Sequence, residues 1–245
     1  MKIAYECLPC LIRQSVESAR MVTDDIAMQQ SIIKNTLKEV SKLNFTETAP
    51  YFGRLIHSYI KDVSSNPDPY KELKVKYNEV AIELCREFDL PNLIRSSKSP
   101  VDTACRLAIA GNIIDFSVSA LLDEDNVRAT IEKCVSEEIE NSMTSELIEA
   151  VHRSNKILFI ADNSGEIVFD KLLINELPKE KITYVVKGEP IVNDATMEDA
   201  IEVGMTDLVR VIDNGSDAQG TILNLCSDEF RKEFDEADLI IAKGQ

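Results

Sequence analysis

Four short apolar runs in the last third of the chain alternate with helical patterns, and this alternation limits the possible folds more than any other feature. The runs span 157–161, 182–186, 208–212 and 238–242, and the helical patterns between them span 166–177, 196–204 and 219–234. Strands joined through helices pair in parallel, and strands covered by helices on both faces are continuously apolar. The pattern therefore predicts an α/β fold with a doubly wound parallel sheet.

The chain before residue 150 has a different hydrophobic periodicity, because its apolar residues recur at the 3.6-residue period of helices. One stripe runs from Leu8 to Ala19 and another from Leu73 to Phe88. The segment 64–70 contains two prolines and an Asn-Pro step, which predict a linker or a substrate-facing loop. We therefore expect two domains, an all-helical domain at 1–150 and an α/β domain at 151–245.

The formal net charge of −16 limits the partners of the chain. Nucleic-acid backbones and anionic membrane surfaces repel a protein this acidic, so we expect neither as a partner. No stretch resembles a signal peptide or an apolar run of about 18 residues. The six cysteines are scattered, which does not suit a disulfide scaffold. These features predict a soluble protein in the reducing cytoplasm.

Polar residues and glycines follow each of the four predicted strands. The residues after the runs are, in order, Asp162-Asn163-Ser164-Gly165, Lys187-Gly188, Asp213-Asn214-Gly215 and Lys243-Gly244. Turn chemistry explains the glycines and the Asp and Asn residues, whereas no turn requires the two lysines. Ligands collect beyond the carboxyl ends of parallel strands. Acids and lysines at that edge therefore predict an anionic substrate together with a metal ion.

Three oxygen donors at this edge form a candidate metal site. Asp162 and Asn163 follow the first run, and Asn193 and Asp194 lie in the loop after the second. The carboxylates of Asp162 and Asp194 with the amide of Asn163 suit Mg²⁺ or Mn²⁺ better than zinc. Another interpretation is open at each position, namely an Asx turn at 162–163 and a helix N-cap at Asp194.

Two helix faces carry further polar candidates. Glu166 and Asp170 lie four residues apart, which lets them support the metal ligands or orient water, unless they form a solvated acidic face. A second helix, opened by Ser99-Pro100, has one face of small and polar residues, namely Cys105, Ala108, Asn112, Asp115 and Ser119. That face predicts a ligand cleft, because Gly111 weakens the helix and a plain solvent-facing surface does not require it.

Cys7 and Cys10 form the one close cysteine pair, and Pro9 between them indicates a helix start. The start of a helix lowers the pKa of a nearby thiol, which favours redox chemistry. A zinc site needs two further ligands, and the sequence has no second CxxC and just two distant histidines, His57 and His152. Ordinary partly buried cysteines, a redox pair and a metal site all remain open.

Several catalytic signatures are missing from the sequence. It contains no GxxxxGK[ST] motif for ATP binding, no GxGxxG motif for dinucleotide binding and no HExxH motif of zinc metalloproteases, so these three functions are disfavoured. An aspartyl-phosphate enzyme is expected to carry a second Asp two residues after its nucleophile, and that position is Ser164. Attack by water on a metal-held phosphate is the simpler prediction.

The motifs together resemble the DUF89 or ARMT1-like damage-control phosphatases, of the archaeal type with an N-terminal CxxC. The resemblance rests on Cys7-Leu-Pro-Cys10, Asp68-Pro69-Tyr70, the segment 111–115, DNSGEIVFD at 162–170, Lys187-Gly188-Glu189-Pro190, Asn193-Asp194-Ala195-Thr196, and Asp213-Asn214-Gly215 with Gly220. It implies helices packed on a three-layer α/β/α sheet. It also implies a phosphatase for small phosphorylated metabolites, with a divalent ion (Mn²⁺, Ni²⁺, Co²⁺ or Mg²⁺) on Asp162, Asn163 and Asp194.

The leading hypothesis assigns a role to each candidate residue. Asp162, Asp194 and Glu166 are catalytic candidates, and Asp115 or Glu166 acts as base or orients substrate hydroxyls. The phosphate and the rest of the substrate contact Asn112, Asp115, Lys187, Asn193 and Lys243. Members of the family usually continue beyond the Gly-Gln pair at which this sequence stops, so we expect part of the rim to lie beyond Gln245. Two alternatives remain, a methyltransferase on the same scaffold and a redox or metal-binding module centred on Cys7 and Cys10.

Overall fold

The computed structural model describes residues 2–43, 45–113, 124–136 and 144–244, and it contains the predicted parallel sheet. The strands are β1 (Ile157–Ile160), β2 (Ile182–Val186), β3 (Arg210–Asp213) and β4 (Leu239–Ala242). They lie in the order β3-β2-β1-β4, and every neighbouring pair is parallel. In this register Ile157 lies opposite both Ile182 and Leu239. The predicted doubly wound α/β fold is therefore confirmed.

Helices occupy most of the described chain before β1. They are α1 (Cys7–Val22), α2 (Ile26–Val40), α3 (Ala49–Ser64), α4 (Lys71–Glu87), α5 (Leu90–Ser96), α6 (Pro100–Ile113), α7 (Glu124–Ser136) and α8 (Thr144–Arg153). Pro100 is the first residue of α6, as predicted. Because α1 begins at Cys7, Pro9 lies within the first turn, where backbone amides have no partner inside the helix.

Three helices connect the strands and build the layers. They are α9 (Glu166–Asn175), α10 (Met197–Glu202) and α11 (Asp228–Glu236). Alternate residues of β1 point to opposite faces of the sheet, so Phe159 joins the core on the α9 side, whereas Leu158 packs with Phe230 of α11. All residues of β1 and β2 are buried. The sheet is the middle of three α/β/α layers, as the family resemblance implied.

The largest apolar cluster joins the sheet to the helices that precede it. It includes buried residues from α4, α5, α6 and α9, such as Leu107 and Phe169, together with Tyr184 of β2. Gly111 of α6 lies against α9, and a Cβ atom there would be 2.9 Å from the Cβ of Phe169. The glycine therefore permits close helix packing, in addition to any role at a ligand cleft. The cluster crosses residue 150, and the division into domains 1–150 and 151–245 stays a prediction.

A second cluster holds α1, α2 and α3 together, with Leu11, Ile32 and Ile60 buried in it. Within the described residues, no helix is both long enough and apolar enough to cross a membrane.

The largest difference from the predicted elements lies between β3 and β4. The helix predicted at 219–234 begins at Asp228, because the Ser227 hydroxyl accepts a hydrogen bond from the Phe230 amide at 3.1 Å and caps it there. The preceding segment contains Gly215 and Gly220, both in the left-handed region with φ near +70°. A helix does not pass through such a conformation, so this stretch forms a loop instead.

Candidate functional site

The loops after β1 and β2 are joined by backbone contacts at the carboxyl edge of the sheet. Asn163 and Asp194 form an isolated antiparallel bridge, and the Ala195 amide donates to the Asp162 carbonyl at 2.8 Å. Asp162, Asn163, Asn193 and Asp194 all line one cleft of about 550 Å³. The three predicted metal ligands therefore lie together, as their positions after neighbouring strands required.

Asp194 is not the N-cap of α10, so that interpretation is wrong. Thr196 holds the cap position, and it forms a reciprocal capping box with Asp199. The Asp194 carboxylate is buried and lies 3.3 Å from the ammonium of Lys187, which also donates to the Gly220 carbonyl at 2.6 Å. Asp194 is therefore free of a structural capping role and stays available to a ligand.

Glu166 and Asp170 lie on one face of α9 as predicted, but that face is buried and is not solvated. The ammonium of Lys243 donates to Glu166, to Asp170 at 3.0 Å and to the Ala108 carbonyl at 2.9 Å. The Tyr184 hydroxyl donates to the other oxygen of Asp170 at 2.6 Å. These contacts use all three donors of Lys243 and fix both carboxylates.

Two amide groups orient the carboxylates nearest the cleft. The side-chain nitrogen of Asn112 donates to Asp162 at 3.2 Å and to Glu166 at 3.0 Å. The nitrogen of Asn163 donates to the same two carboxylates, at 2.9 Å and 3.3 Å. With its nitrogen engaged there, the amide oxygen of Asn163 is left for another partner. Glu166 thus acts as the acceptor that sets the orientation of both amides.

The polar face predicted on α6 divides into parts with different surroundings. Asn112 reaches the site, whereas Ala108 is buried in the core and Cys105 packs against it. Asp115 and Ser119 lie outside the described residues. The loop 64–70, the other candidate for a substrate-facing element, contributes no residue to the cleft lining.

Negative charge exceeds positive charge in this part of the molecule. The side chains that share the contacts above are four carboxylates and two ammonium groups, those of Asp162, Glu166, Asp170, Asp194, Lys187 and Lys243. Burial raises the pKa of Asp194 to about 7 despite the nearby Lys187, and burial followed by the charge of Glu166 raises the pKa of Asp162. A deficit of two positive charges beside oxygen donors fits a divalent cation.

Hard cations suit this donor set better than soft ones. In the described part of the chain, no three His, Cys, Asp or Glu side chains are arranged to hold a metal ion. A site here would instead combine the two carboxylates of Asp162 and Asp194 with the amide oxygen of Asn163, and Mg²⁺-like ions commonly complete such a set with water and substrate oxygens. Cys7 and Cys10 are free thiols in the lining of the same cleft, and its described lining contains no other cysteine and no histidine.

The opposite side of the cleft was missed by the sequence reasoning. We call the strand-end residues of the lining the α/β wall and the residues of α1 in the lining the α1 wall. The α1 wall consists of Cys7, Cys10, Leu11, Arg13, Gln14 and Glu17. Ala49, Pro50, Gln219 and Gly220 complete the lining. The amphipathic pattern of α1 identified its buried face, but no sequence signal indicated that its polar face meets the strand ends.

Close contacts hold the loop after β3 against α3 and shape the floor of the cleft. Arg54 of α3 forms an ion pair with Asp217, and Gly53 lacks the Cβ atom that would collide with the Gln219 carboxamide.

Asn78 of α4 is a further residue near the site that the sequence did not indicate. Its side-chain oxygen accepts a hydrogen bond from the Gly165 amide at 2.7 Å, which fixes the loop after β1.

Comparisons with known proteins agree with this architecture. The chain matches the model of the damage-control phosphatase ARMT1-like domain over residues 3–245. It is 40% identical to an uncharacterised protein of Methanocaldococcus jannaschii and 35% identical to a damage-control phosphatase of Pyrococcus horikoshii, covering all of this chain and 81% and 84% of those proteins. A crystal structure of a DUF89 family protein from Pyrococcus horikoshii superposes with a TM-score of 0.87 at 35% identity, over 100% of this chain and 85% of that one. The chain therefore belongs to the ARMT1-like damage-control phosphatase family, DUF89.

Proposed function

We propose that the protein is a metal-dependent phosphatase that hydrolyses phosphate monoesters of small metabolites, such as phosphosugars or damaged phosphorylated metabolites. The family and the name of the Pyrococcus relative support a phosphatase. The observation that carries the proposal is the convergence of Asp162, Asn163 and Asp194 on one cleft, beside a network of described side chains that has four carboxylates and two ammonium groups. The methyltransferase alternative has no comparable support, because the loop after β1 is acidic and polar and is not glycine-rich.

In this proposal Asp162, Asn163 and Asp194 hold the divalent ion, which is Mn²⁺, Ni²⁺, Co²⁺ or Mg²⁺. The bound ion would supply charge neutralisation at the phosphoryl oxygens and a lowered pKa of water for in-line attack. Burial of the Asp194 carboxylate and partial burial of the Asp162 carboxylate limit the access of bulk water and strengthen their attraction for a cation. The small number of protein ligands leaves coordination positions for water and substrate.

The remaining residues position the reacting groups. Lys187 contacts Asp194 and the Gly220 carbonyl, so one of its three donors is left for a phosphoryl oxygen. Glu166 holds the Asn112 and Asn163 amides, which favours an orienting role over that of a base. Lys243 is engaged by Glu166 and Asp170, so we propose that it positions them and does not touch the phosphate. Asn193 stays a substrate-binding candidate in the lining, and Asp115 stays the candidate base.

Phosphate release from a panel of sugar, polyol and aromatic phosphate monoesters tests this proposal. The purified protein is first dialysed against a chelator and is then assayed with each of the four divalent ions. We expect no release after chelation and full recovery with at least one ion, and we expect Asp162→Asn, purified in parallel, to stay inactive. Release that chelation leaves unchanged, or no release from any ester with any ion, would contradict the proposal.

A further inference from the structure

Arg13 differs from the other cations close to the candidate site, because it is not neutralised. Lys187 is paired with Asp194, Lys243 with Glu166 and Asp170, and Arg54 with Asp217. The guanidinium of Arg13 makes a single weak contact, 3.9 Å from the Cys10 sulfur, and no ion pair with any described residue. Arg13 therefore keeps free donors in a cleft whose described lining also contains Glu17, Asp162 and Asp194.

The position of Arg13 separates it from the proposed site of phosphate hydrolysis. It lies on the α1 wall, whereas Asp162, Asn163 and Asp194 belong to the α/β wall of the same cleft. A volume of about 550 Å³ exceeds what a phosphate group and one ion occupy, so the rest of a substrate also fits. Among the described residues of the cleft lining, Arg13 is the only one with a cationic side chain, since Lys187 contacts the lining residues Asp194 and Gly220 but is not itself in the lining.

We propose that Arg13 forms an anion subsite for the part of the substrate that is not transferred. This inference rests on the proposed function, and it narrows the substrate class to phosphate monoesters that carry a second oxyanion, a carboxylate or another phosphate. Arginine suits this task because its planar fork donates two parallel hydrogen bonds to such groups. Gln14 and Glu17 on the same wall supply further polar contacts for the connecting part of the substrate.

Binding of phosphonates, which the enzyme cannot hydrolyse, tests the subsite without requiring turnover. Two matched pairs span two lengths: phenylphosphonate with 4-carboxyphenylphosphonate, and propylphosphonate with 3-phosphonopropionate. Dissociation constants are measured by calorimetry with Mn²⁺ present. We expect the protein to bind the carboxylated member of at least one pair about 10- to 100-fold more tightly, as a charge-assisted pair permits. We expect Arg13→Gln to abolish that preference and Arg13→Lys to retain part of it.

Arg20→Gln is the matched control, since Arg20 lies on the exposed side of α1 and is absent from the cleft lining. It should retain the full preference. Equal affinities within both pairs, or a preference that survives Arg13→Gln, would overturn the anion subsite. Failure of the proposed function gives a different result, because absence of phosphate release leaves the phosphonate preference measurable.

Discussion

The two walls of the cleft differ in how firmly their polar groups are held. On the α/β wall Asp194 is buried and paired with Lys187, and the carboxylates behind it are fixed by Lys243, Tyr184 and two asparagine amides. On the α1 wall Arg13 and Glu17 are exposed, and neither forms an ion pair with a described residue. If the proposed roles hold, the groups that bind the ion are held in place before a substrate binds, whereas the groups that contact the rest of the substrate adapt to it.

Removing the cation behind the α/β wall should have the largest effect on folding. Lys243→Met removes the one cation paired with the buried carboxylates of Glu166 and Asp170 among the described residues, so we expect the free energy of unfolding to fall by about 3–5 kcal/mol. Urea denaturation measures the loss. Adding Glu166→Gln to this variant should restore part of the stability, since one buried charge is then removed.

Lys156→Met is the matched control for that experiment. Lys156 also pairs with two carboxylates, Glu233 and Glu236, but at the surface, where solvent screens the attraction. We expect a small fraction of the Lys243 effect. Equal losses for the two lysines would show that burial of the network does not matter.

Asp194→Asn should abolish most turnover without unfolding the protein. The variant keeps the shape of the side chain and removes one charge from the proposed metal site, so we expect phosphate release to fall about 100- to 1000-fold. Asp170→Asn, farther from the cleft, should cost about 10- to 100-fold. The assays are run across a metal titration together with thermal melts.

Asp213→Asn serves as the control for a strand-end aspartate with a local role. Asp213 is the last residue of β3 and accepts a hydrogen bond from the Gly215 amide, and it does not line the cleft. We expect nearly normal turnover. An Asp194→Asn protein with normal turnover and a normal metal response would remove Asp194 from the site.

Acid should weaken the helical cluster that carries the α1 wall, through His57 of α3. Burial, followed by the charge of Lys61, lowers the pKa of His57 from 6.5 to about 3 in the folded protein. Between those pH values the unfolded chain binds a proton that the folded chain does not, so stability is full above pH 6.5 and falls on acidification. We expect a loss of about 2 kcal/mol between pH 6.5 and pH 5, at about 1.4 kcal/mol per pKa unit.

His57→Gln isolates this contribution, because glutamine does not titrate. Denaturation of both proteins at several pH values should show a shallower acid slope for the variant, by close to one proton. Identical slopes would mean that His57 is protonated in the folded protein as readily as in the unfolded chain.

The smallest effect is expected from the thiols of the α1 wall. Cys7 and Cys10 line the cleft, but thiolates do not suit an oxygen-liganded ion and one CxxC cannot complete a zinc shell. Under reducing conditions, Cys7→Ser/Cys10→Ser should therefore keep phosphate release within about threefold of wild type, the scale of one weak contact. A loss as large as that of Asp194→Asn would place the cysteines in the chemistry.

The strands were predictable from sequence because a buried parallel strand must be apolar along its whole length, as Ile157 to Ile160 are. The convergence of Asp162 and Asp194 followed from the same rule, since parallel strands end at one edge of the sheet. The start of α11 was harder to predict from sequence, because Ser227 is one of several polar residues able to cap a helix there. Local chemistry therefore located strands better than it located the ends of helices.

Arg13 could not be assigned from sequence, because its role depends on how α1 packs against the α/β part. An exposed arginine on an amphipathic helix has the same local pattern whether it faces solvent or a cleft. The burial of Glu166 and Asp170 could not be predicted from sequence either, since their partner Lys243 lies more than 70 positions away in the chain. Long-range packing decides both cases.

Anomalous diffraction from crystals grown with Mn²⁺ tests directly whether the three strand-end residues bind a divalent ion. We expect one strong peak in the cleft, within about 2.6 Å of oxygen atoms from Asp162, Asn163 and Asp194. The peak should be absent from crystals of Asp194→Asn prepared in the same way. A peak bound instead by Cys7 and Cys10, or an active protein with no manganese at the strand ends, would show that Asp162, Asn163 and Asp194 do not form the metal site.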